Sequence, residues 1–460
     1  MGTNSPSTSR LFGVLFALPI LADERWEPKV QSQRNHQRCG HFEFWVKGIS
    51  HMKQLLFALI VLGGSITLAR ASDWPHWLGP VSNGSSPETG LLTKWPSAGP
   101  KTLWETAGGD GYSSLAIADG KAFTLVQRAA GEIVLALDAV KGTELWKTPV
   151  GPAFRNQYGN GPRSTPWIDG DRVYVQSVSG PLVCLDAKSG AILWQKHLLN
   201  EFGGKNITWG LSASPVIADN LVLAIPGGKD AGVAAFDKIT GKLAWKVGND
   251  KAAYASPVVA TVGGAKQAIF FNASGLLGVS LGKGEELWRQ AWKTDFDCNI
   301  MTPIVVDGDK LFVSSGESNG CVLFQLNAAA APKAVWESKG RKSVMINYWA
   351  NPVIHEGFLY GFAGEFSNKI HLRCIDLKTG KPRWTQEDFG KGSMTLADGH
   401  LFITTKEGDL VLVRATPEAY DEKARIPMLG NNRTAPTLAN KRLYLRDLKT
   451  IKCLDVGAGL

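Results

Sequence analysis

The pattern Asp-x-x-x-Gly-x-x-x-Trp returns along this chain at intervals of 42 to 51 residues. Self-similarity at that period is the signature of a propeller or a solenoid, because each unit is one supersecondary element that must stack on its neighbours to bury a core. Well-kept copies run from Asp138 through Gly142 to Trp146, from Asp186 through Gly190 to Trp194, from Asp237 through Gly241 to Trp245, and from Asp376 through Gly380 to Trp384. Two copies are worn: one has Ser280 at the Asp position before Gly284 and Trp288, and another keeps only Trp336.

A second signal recurs eight times: a Ser/Thr/Ala-Pro step or a relative, an apolar pair, a tight-turn dipeptide, then alternating strand residues. The turns are Asp119-Gly120, Asp169-Gly170, Asp219-Asn220, Gly263-Gly264, Asp307-Gly308, Glu356-Gly357, Asp398-Gly399 and the one at Asn440. Asp-Gly between alternating apolar residues is a two-residue hairpin, since that turn needs positive φ. Each unit therefore supplies about four short antiparallel strands. After Asp455 no closing strand with its Trp follows, while Leu103-Trp104 near the start has no preceding unit. The expectation is an all-β, eight-bladed propeller of four-stranded antiparallel blades, closed by the N-terminal strand so that no sheet edge stays open. Trp104, Trp146, Trp194, Trp245, Trp288, Trp336 and Trp384 share the period of the blades and are expected to dock between them.

The repeat occupies residues 99–460, which leaves 72–98 as a lead segment, 52–71 as a signal peptide and 1–51 as a mis-assigned or disordered leader. Met52-Lys53 opens a basic n-region, Leu55 to Leu68 is an apolar stretch, and Ala69-Arg70-Ala71 reads as a cleavage site before Ser72. An uncleaved anchor is the competing reading, although the stretch is shorter than the ~20 residues of a typical span. Secretion or periplasmic location is expected. The formal charge of +9 falls to +5 without residues 1–71, and no basic run with interleaved aromatics remains, so nucleic acid is not an expected partner. Cys184, Cys374 and Cys453 each stand two residues before the motif Asp and read as small buried hydrophobes. Cys298 and Cys321 are the one pair for which a meeting stays open, and separate buried thiols are the favoured reading. No Cys/His cluster suggests zinc or haem, and phosphate-loop, dinucleotide and serine-hydrolase motifs are absent. His197, His355 and His371 read as structural.

The units Leu185-Asp186-Ala187-Lys188-Ser189-Gly190-Ala191-Ile192-Leu193-Trp194 and Ala235-Phe236-Asp237-Lys238-Ile239-Thr240-Gly241-Lys242-Leu243-Ala244-Trp245 resemble the tryptophan-docking repeat of the pyrroloquinoline quinone (PQQ) propeller superfamily. That superfamily includes quinoprotein alcohol dehydrogenases, polyvinyl alcohol dehydrogenase-like proteins and a barrel-assembly lipoprotein of the outer membrane that holds no cofactor. Asp73-Trp74-Pro75-His76-Trp77-Leu78-Gly79-Pro80 is similar to the opening of secreted PQQ-like proteins of planctomycete-type bacteria. In the dehydrogenases the quinone lies over the axis between a Trp and a vicinal disulfide, near calcium and a catalytic Asp. This chain has no Cys-Cys pair, a departure from the methanol-dehydrogenase pattern. Glu317, Asn319, Glu365, Asn368, Asp295 and Asp297 are loop oxygen donors without a diagnostic calcium spacing.

Propellers bind ligands where the residues preceding each inner strand face the axis. Those positions hold Tyr112, Tyr158, Asn160, Arg163, Trp209, Tyr254, Asn299, Asn347, Tyr348, Trp349, Asn351, Asn431, Asn432 and Arg433. Planar rings would cover a flat cofactor or sugar, and the arginines would pair with carboxylates. The same groups would equally serve to fill the channel and tie blades together. The resemblance implies a funnel for a small polar ligand, with quinone-dependent alcohol oxidation as its enzymatic version and PQQ with calcium as cofactors. The alternative is a non-catalytic scaffold contacting an envelope protein or polymer. No Cys follows Ala71, so no lipid anchor is expected at Ser72.

Overall fold

A computed structural model describes residues 72–317, 319–364 and 369–459. The stretches read as a leader and a signal peptide, together with Glu365 and Asn368, lie outside the described residues. The described chain forms eight four-stranded antiparallel sheets. Blades 1 to 7 follow chain order, starting at Ala116, Trp167, Val216, Val258, Ile304, Val353 and Gly392. Blade 8 takes Thr437–Ala439, Arg442–Arg446 and Thr450–Asp455 from the end of the chain, and its outermost strand is Thr102–Ala107. Trp104 stands opposite Cys453, and Ala107 opposite Thr450. The N-terminal strand thus closes the ring as the sequence predicts. Both turn residues take positive φ at Asp119-Gly120, Asp307-Gly308, Glu356-Gly357 and Asp398-Gly399, the conformation those dipeptides were read to require.

Docking works through a recurring bulge. In every blade the pairing of the third and fourth strands slips by one residue immediately before the docking position, as between Cys184 and Leu185 opposite Trp194. The extra residue turns outward, which is why Leu145, Leu193 and Val335 are exposed, and the next side chain is aimed at the following blade. There the indole covers the motif glycine: a Cβ on Gly190 would stand 2.5 Å from Trp146, and one on Gly241 2.7 Å from Trp194. The indole N–H then bonds the carbonyl after the motif Asp, Trp146 to Ala187 at 3.2 Å and Trp194 to Lys238 at 3.0 Å. Blade 5 has no such turn to offer Trp288. Gln267 substitutes, taking the Trp288 N–H at 2.8 Å and donating to the carbonyls of Asn327 and Ala328 at 2.9 Å.

Blade 7 departs most. Ala424 occupies its docking position. In blades 1, 2, 5, 6 and 8 an aromatic of the second strand packs on the blade's own tryptophan, as Phe123 does on Trp146 and Tyr360 on Trp384. Phe402 is the blade 7 equivalent, and its ring partner is Trp95 of the lead segment, 6.2 Å away.

The lead segment crosses the far ends of the inner strands. Trp74 pairs with Ile117 of blade 1, and His76 stacks on Trp167 of blade 2 with centroids 3.6 Å apart. Ser86 bonds Leu396 of blade 7, the carboxylate of Asp398 accepts Leu91 N–H, and Glu88 accepts the N–H groups of Asn440 and Lys441 in blade 8. Cys184, Cys298, Cys321, Cys374 and Cys453 are all buried free thiols, and Cys298 forms no disulfide with Cys321. The latter sits instead beside Ser343 in its own blade. No helix among the described residues is long and apolar enough to cross a membrane.

Candidate functional site in the axial cavity

The Ser/Thr/Ala-Pro steps place a ring of short polar side chains around the axis, each capping the backbone of its neighbour. Ala435 N–H donates to Ser114 Oγ, Ser114 to Thr165 Oγ1, Thr165 to Ser214 Oγ, Ser214 to Ser256 Oγ, Ser256 to Thr302 Oγ1 and Thr302 to Asn351 Oδ1, at 2.9–3.4 Å. Except at Ser114, which Leu115 follows, the next residue is a proline that cannot donate, so the capped N–H just before it is the natural link between blades. Blade 1, which opens Ser114-Leu115-Ala116, and blade 7, which begins Gly392-Ser393-Met394, have no such proline, and blade 7 has no member in this capping ring.

Above this ring lies a cavity of about 610 Å3 to which all eight blades contribute. Its floor includes Trp77, brought to the axis by the lead segment and anchored by Nε1 donating to Thr302 Oγ1 at 3.1 Å. On the other side of Trp77 is a second cavity of about 330 Å3 that shares Ser256 and Thr302 with the first. The indole is therefore a partition in the channel.

Of the residues singled out from sequence, Tyr158, Arg163, Trp209, Tyr254, Tyr348, Trp349 and Arg433 line the upper cavity, with Tyr112 beside them. Asn160, Asn299 and Asn351 do not. Asn160 bonds Asp110 and Asn156. Asn299 is fully buried and donates to the carbonyls of Asn272 and Trp292, while Asn351 is the blade 6 member of the capping ring. Trp77, Phe296, Lys391 and Lys406 also line the cavity and were missed. Trp77 lies outside the repeat, and the two lysines belong to blade 7, where no Pro step marks the entry. Asp-Phe-Asp at 295–297 offered a signal, because Phe296 and Asp297 adopt positive φ, costly for a bulky side chain.

The lining is polarised. Arg163 lies 5.7 Å and Arg433 5.1 Å from the Tyr112 ring; Arg433 lies 5.5 Å and Lys391 4.9 Å from Trp349. Cations and rings thus alternate along the arc of blades 2, 1, 8, 6 and 7. Burial, reinforced by Lys406 and Arg433, pulls the Lys391 ammonium below its ordinary value. The facing arc is aromatic: Trp209 contacts Tyr158, Tyr254 and Phe296 at centroid distances of 6.1, 5.6 and 6.4 Å. Trp349 Nε1 and Arg433 Nε are buried donors without an acceptor in the protein. Glu317 is the one carboxylate among the described lining residues.

The fold is that of an eight-bladed propeller, and comparison with known proteins finds the chain similar to members of the PQQ-like propeller superfamily. The family described as outer membrane protein assembly factor BamB matches residues 129–351. Quinohemoprotein alcohol dehydrogenase ADH IIB of Pseudomonas putida is 32% identical over 25% of this chain, and that stretch is only 17% of the relative's length. BamB of Yersinia pestis is 25% identical over 66% of this chain and 76% of its own. Among solved structures, quinohemoprotein alcohol dehydrogenase from Comamonas testosteroni superposes with a TM-score of 0.60, covering 84% of this chain and 81% of that one at 14% identity. BamB from Moraxella catarrhalis gives 0.54, covering 78% and 99% at 15% identity.

Proposed function

We propose that this protein is an exported propeller whose axial cavity binds a small planar ligand, with a PQQ-type quinone as the leading candidate. The observation that carries this reading is the pair of buried donors without acceptors, Trp349 Nε1 and Arg433 Nε, in the wall of a floored aromatic cavity. Native walls rarely leave such groups unpaired, because each costs roughly 1–3 kcal/mol.

Among the described residues, the lining fits the quinone and, with a single carboxylate, does not fit a calcium ion. A planar polycarboxylate would meet Arg163, Arg433, Lys391 and Lys406 at its acid groups, Trp209 and Trp349 on its faces, and Trp77 beneath. Bound PQQ supplies a carbonyl that accepts hydride from an alcohol. In that version Glu317, the one carboxylate among the described lining residues, would take the hydroxyl proton, and the aromatic walls exclude water. Calcium needs several converging oxygens, whereas the described residues contain no group of three or more His, Cys, Asp and Glu able to hold a metal, so no step is drawn through it.

The test is titration of purified protein with PQQ, read by quenching of tryptophan fluorescence and by thermal shift, followed by dye-linked alcohol oxidation. Saturable quenching with turnover supports the enzymatic version; quenching without turnover supports a binding protein. A scaffold role in the cell envelope is the second reading, favoured by the BamB alignments, which run through 61% and 66% of this chain against about a quarter for the dehydrogenases. It takes over if no small ligand shifts melting or fluorescence.

A further inference from the structure

We infer that the cavity takes an aromatic polyacid in a fixed orientation and holds it with its own cations, with no divalent metal between protein and ligand. This rests on the reading of the axial cavity as a ligand site and names the class of ligand and the manner of its capture. The lining divides into two chemically different arcs. Arg163, Arg433, Lys391 and Lys406 stand on one side, and the described lining residues oppose them with a single carboxylate.

Four cations in one concave wall repel each other, and burial raises the cost. The Lys391 ammonium is held below its ordinary value by burial, then by Lys406 and Arg433, against the opposite pull of Glu407. A ligand bringing two or three negative charges relieves that repulsion, and one bringing a metal cation adds to it. The rings of Tyr112 and Trp349 lie between successive cations, which fixes the spacing of the charged heads along the wall.

The opposite arc dictates the rest of the ligand. Trp209, Tyr254 and Phe296 form a connected aromatic surface, and Phe296 is 70% exposed in a left-handed backbone conformation. Such a surface covers a flat apolar face and offers an aliphatic acid little. The acid groups of the ligand therefore turn to blades 7, 8 and 2, and its ring to blades 3, 4 and 5. The europium-containing methanol dehydrogenase, which shares the fold with a TM-score of 0.60, is a metal-containing relative by its description. Here fixed ammonium and guanidinium groups take the place of a metal as the source of positive charge.

The experiment measures binding of benzene-1,3,5-tricarboxylate, its neutral trimethyl ester, propane-1,2,3-tricarboxylate and PQQ by calorimetry and tryptophan fluorescence, in EDTA and in calcium chloride. The inference expects the aromatic triacid and PQQ to bind equally with and without calcium. The ester and the aliphatic triacid should each bind at least about tenfold more weakly, and added potassium chloride should weaken the charged probes. Lys391→Met and Arg433→Met should each cost about tenfold in affinity for the triacid, with retained melting as the control. The salt and ester comparisons need no variant, so a substitution that fails to fold does not remove the test. Binding of PQQ only in calcium, or of the ester as tightly as the acid, overturns the inference and leaves the ligand site standing. Absence of binding by every probe overturns both.

Discussion

At the residue scale, the positions that looked alike from their period behave alike, and the exceptions have local chemical substitutes. Trp194 is buried at 9% exposure between blades 2 and 3 and bonds Lys238 O. Truncating it to alanine is expected to cost roughly 3–5 kcal/mol in chemical denaturation, and a smaller loss would show that the indole is not what joins the blades. Gln267→Leu leaves Trp288 in place and strips its hydrogen-bond relay, so about 1–3 kcal/mol should be lost, chiefly from the buried N–H left without an acceptor. Glu132 was invisible in the sequence, one glutamate in an ordinary strand. Its carboxyl is fully buried, accepts from Ser177 Oγ at 2.5 Å and Val178 N–H at 3.1 Å, and is pushed up to about 7 by burial against the lowering from those bonds. Its folded pKa exceeds the ordinary value of 4.5, so the folded state holds a proton that the unfolded chain has released. Stability should therefore fall by on the order of 3 kcal/mol as pH rises from 4.5 through 7. Glu132→Gln should flatten that slope in melts taken across the same window, and an unchanged slope would refute the assignment.

At the scale of strands and blades, the sequence disclosed what is periodic and concealed what compensates for broken periods. Asp-x-x-x-Gly-x-x-x-Trp and the positive-φ turns were legible because both ends of each contact lie within one repeat of each other. The bulge before each docking position was not, since Leu145 or Leu193 reads as an ordinary alternating strand residue until the register is known. Nor could the capping ring be separated from the ligand-facing groups. Asn351 and Arg433 precede their inner strands in the same way, yet Asn351 caps Thr302 and Arg433 faces the cavity. Blade 7 shows the compensation most plainly. It lacks the docking tryptophan and the Pro step, and the lead segment supplies Trp95 against Phe402 and hydrogen bonds through Ser86 and Leu91. Trp95→Ala should cost about 1–3 kcal/mol because its ring is only partly buried. The loss should appear as increased amide exchange confined to residues 392–427. Exchange rising uniformly around the ring would instead mean that the segment does not splint this blade in particular.

At the scale of the whole molecule, closure is where the strand before blade 1 joins the last strands of the ring, and several contacts secure it. The strand Thr102–Ala107 pairs with Thr450–Asp455, and Trp104 passes its N–H to Ala139 O in blade 1 at 3.2 Å. Thr437 Oγ1 donates across the seam to Leu115 O at 2.9 Å. Arg446 of blade 8, fully buried, then reaches into blade 1 and donates to the carbonyls of Ser113, Leu125, Gly109 and Gly111 and to Thr124 Oγ1 at 2.7–3.3 Å. Its burial draws the guanidinium down to about 10, still charged at neutral pH, with carbonyl oxygens doing the work of a counterion. Two truncations separate the roles of the segments before blade 1. Removing residues 73–98 takes away the splint and Trp77, so the two cavities should join into an open channel while the ring still unfolds cooperatively at a lower temperature. Removing 73–107 also takes the closing strand and Trp104. The loss should then exceed about 5 kcal/mol, from the docking indole and a row of ladder hydrogen bonds together, and blade 8 should expose an edge that promotes association. Equal melting temperatures for the two truncations would mean that the strand pairing contributes nothing to closure and that Arg446 and Thr437 hold the seam alone.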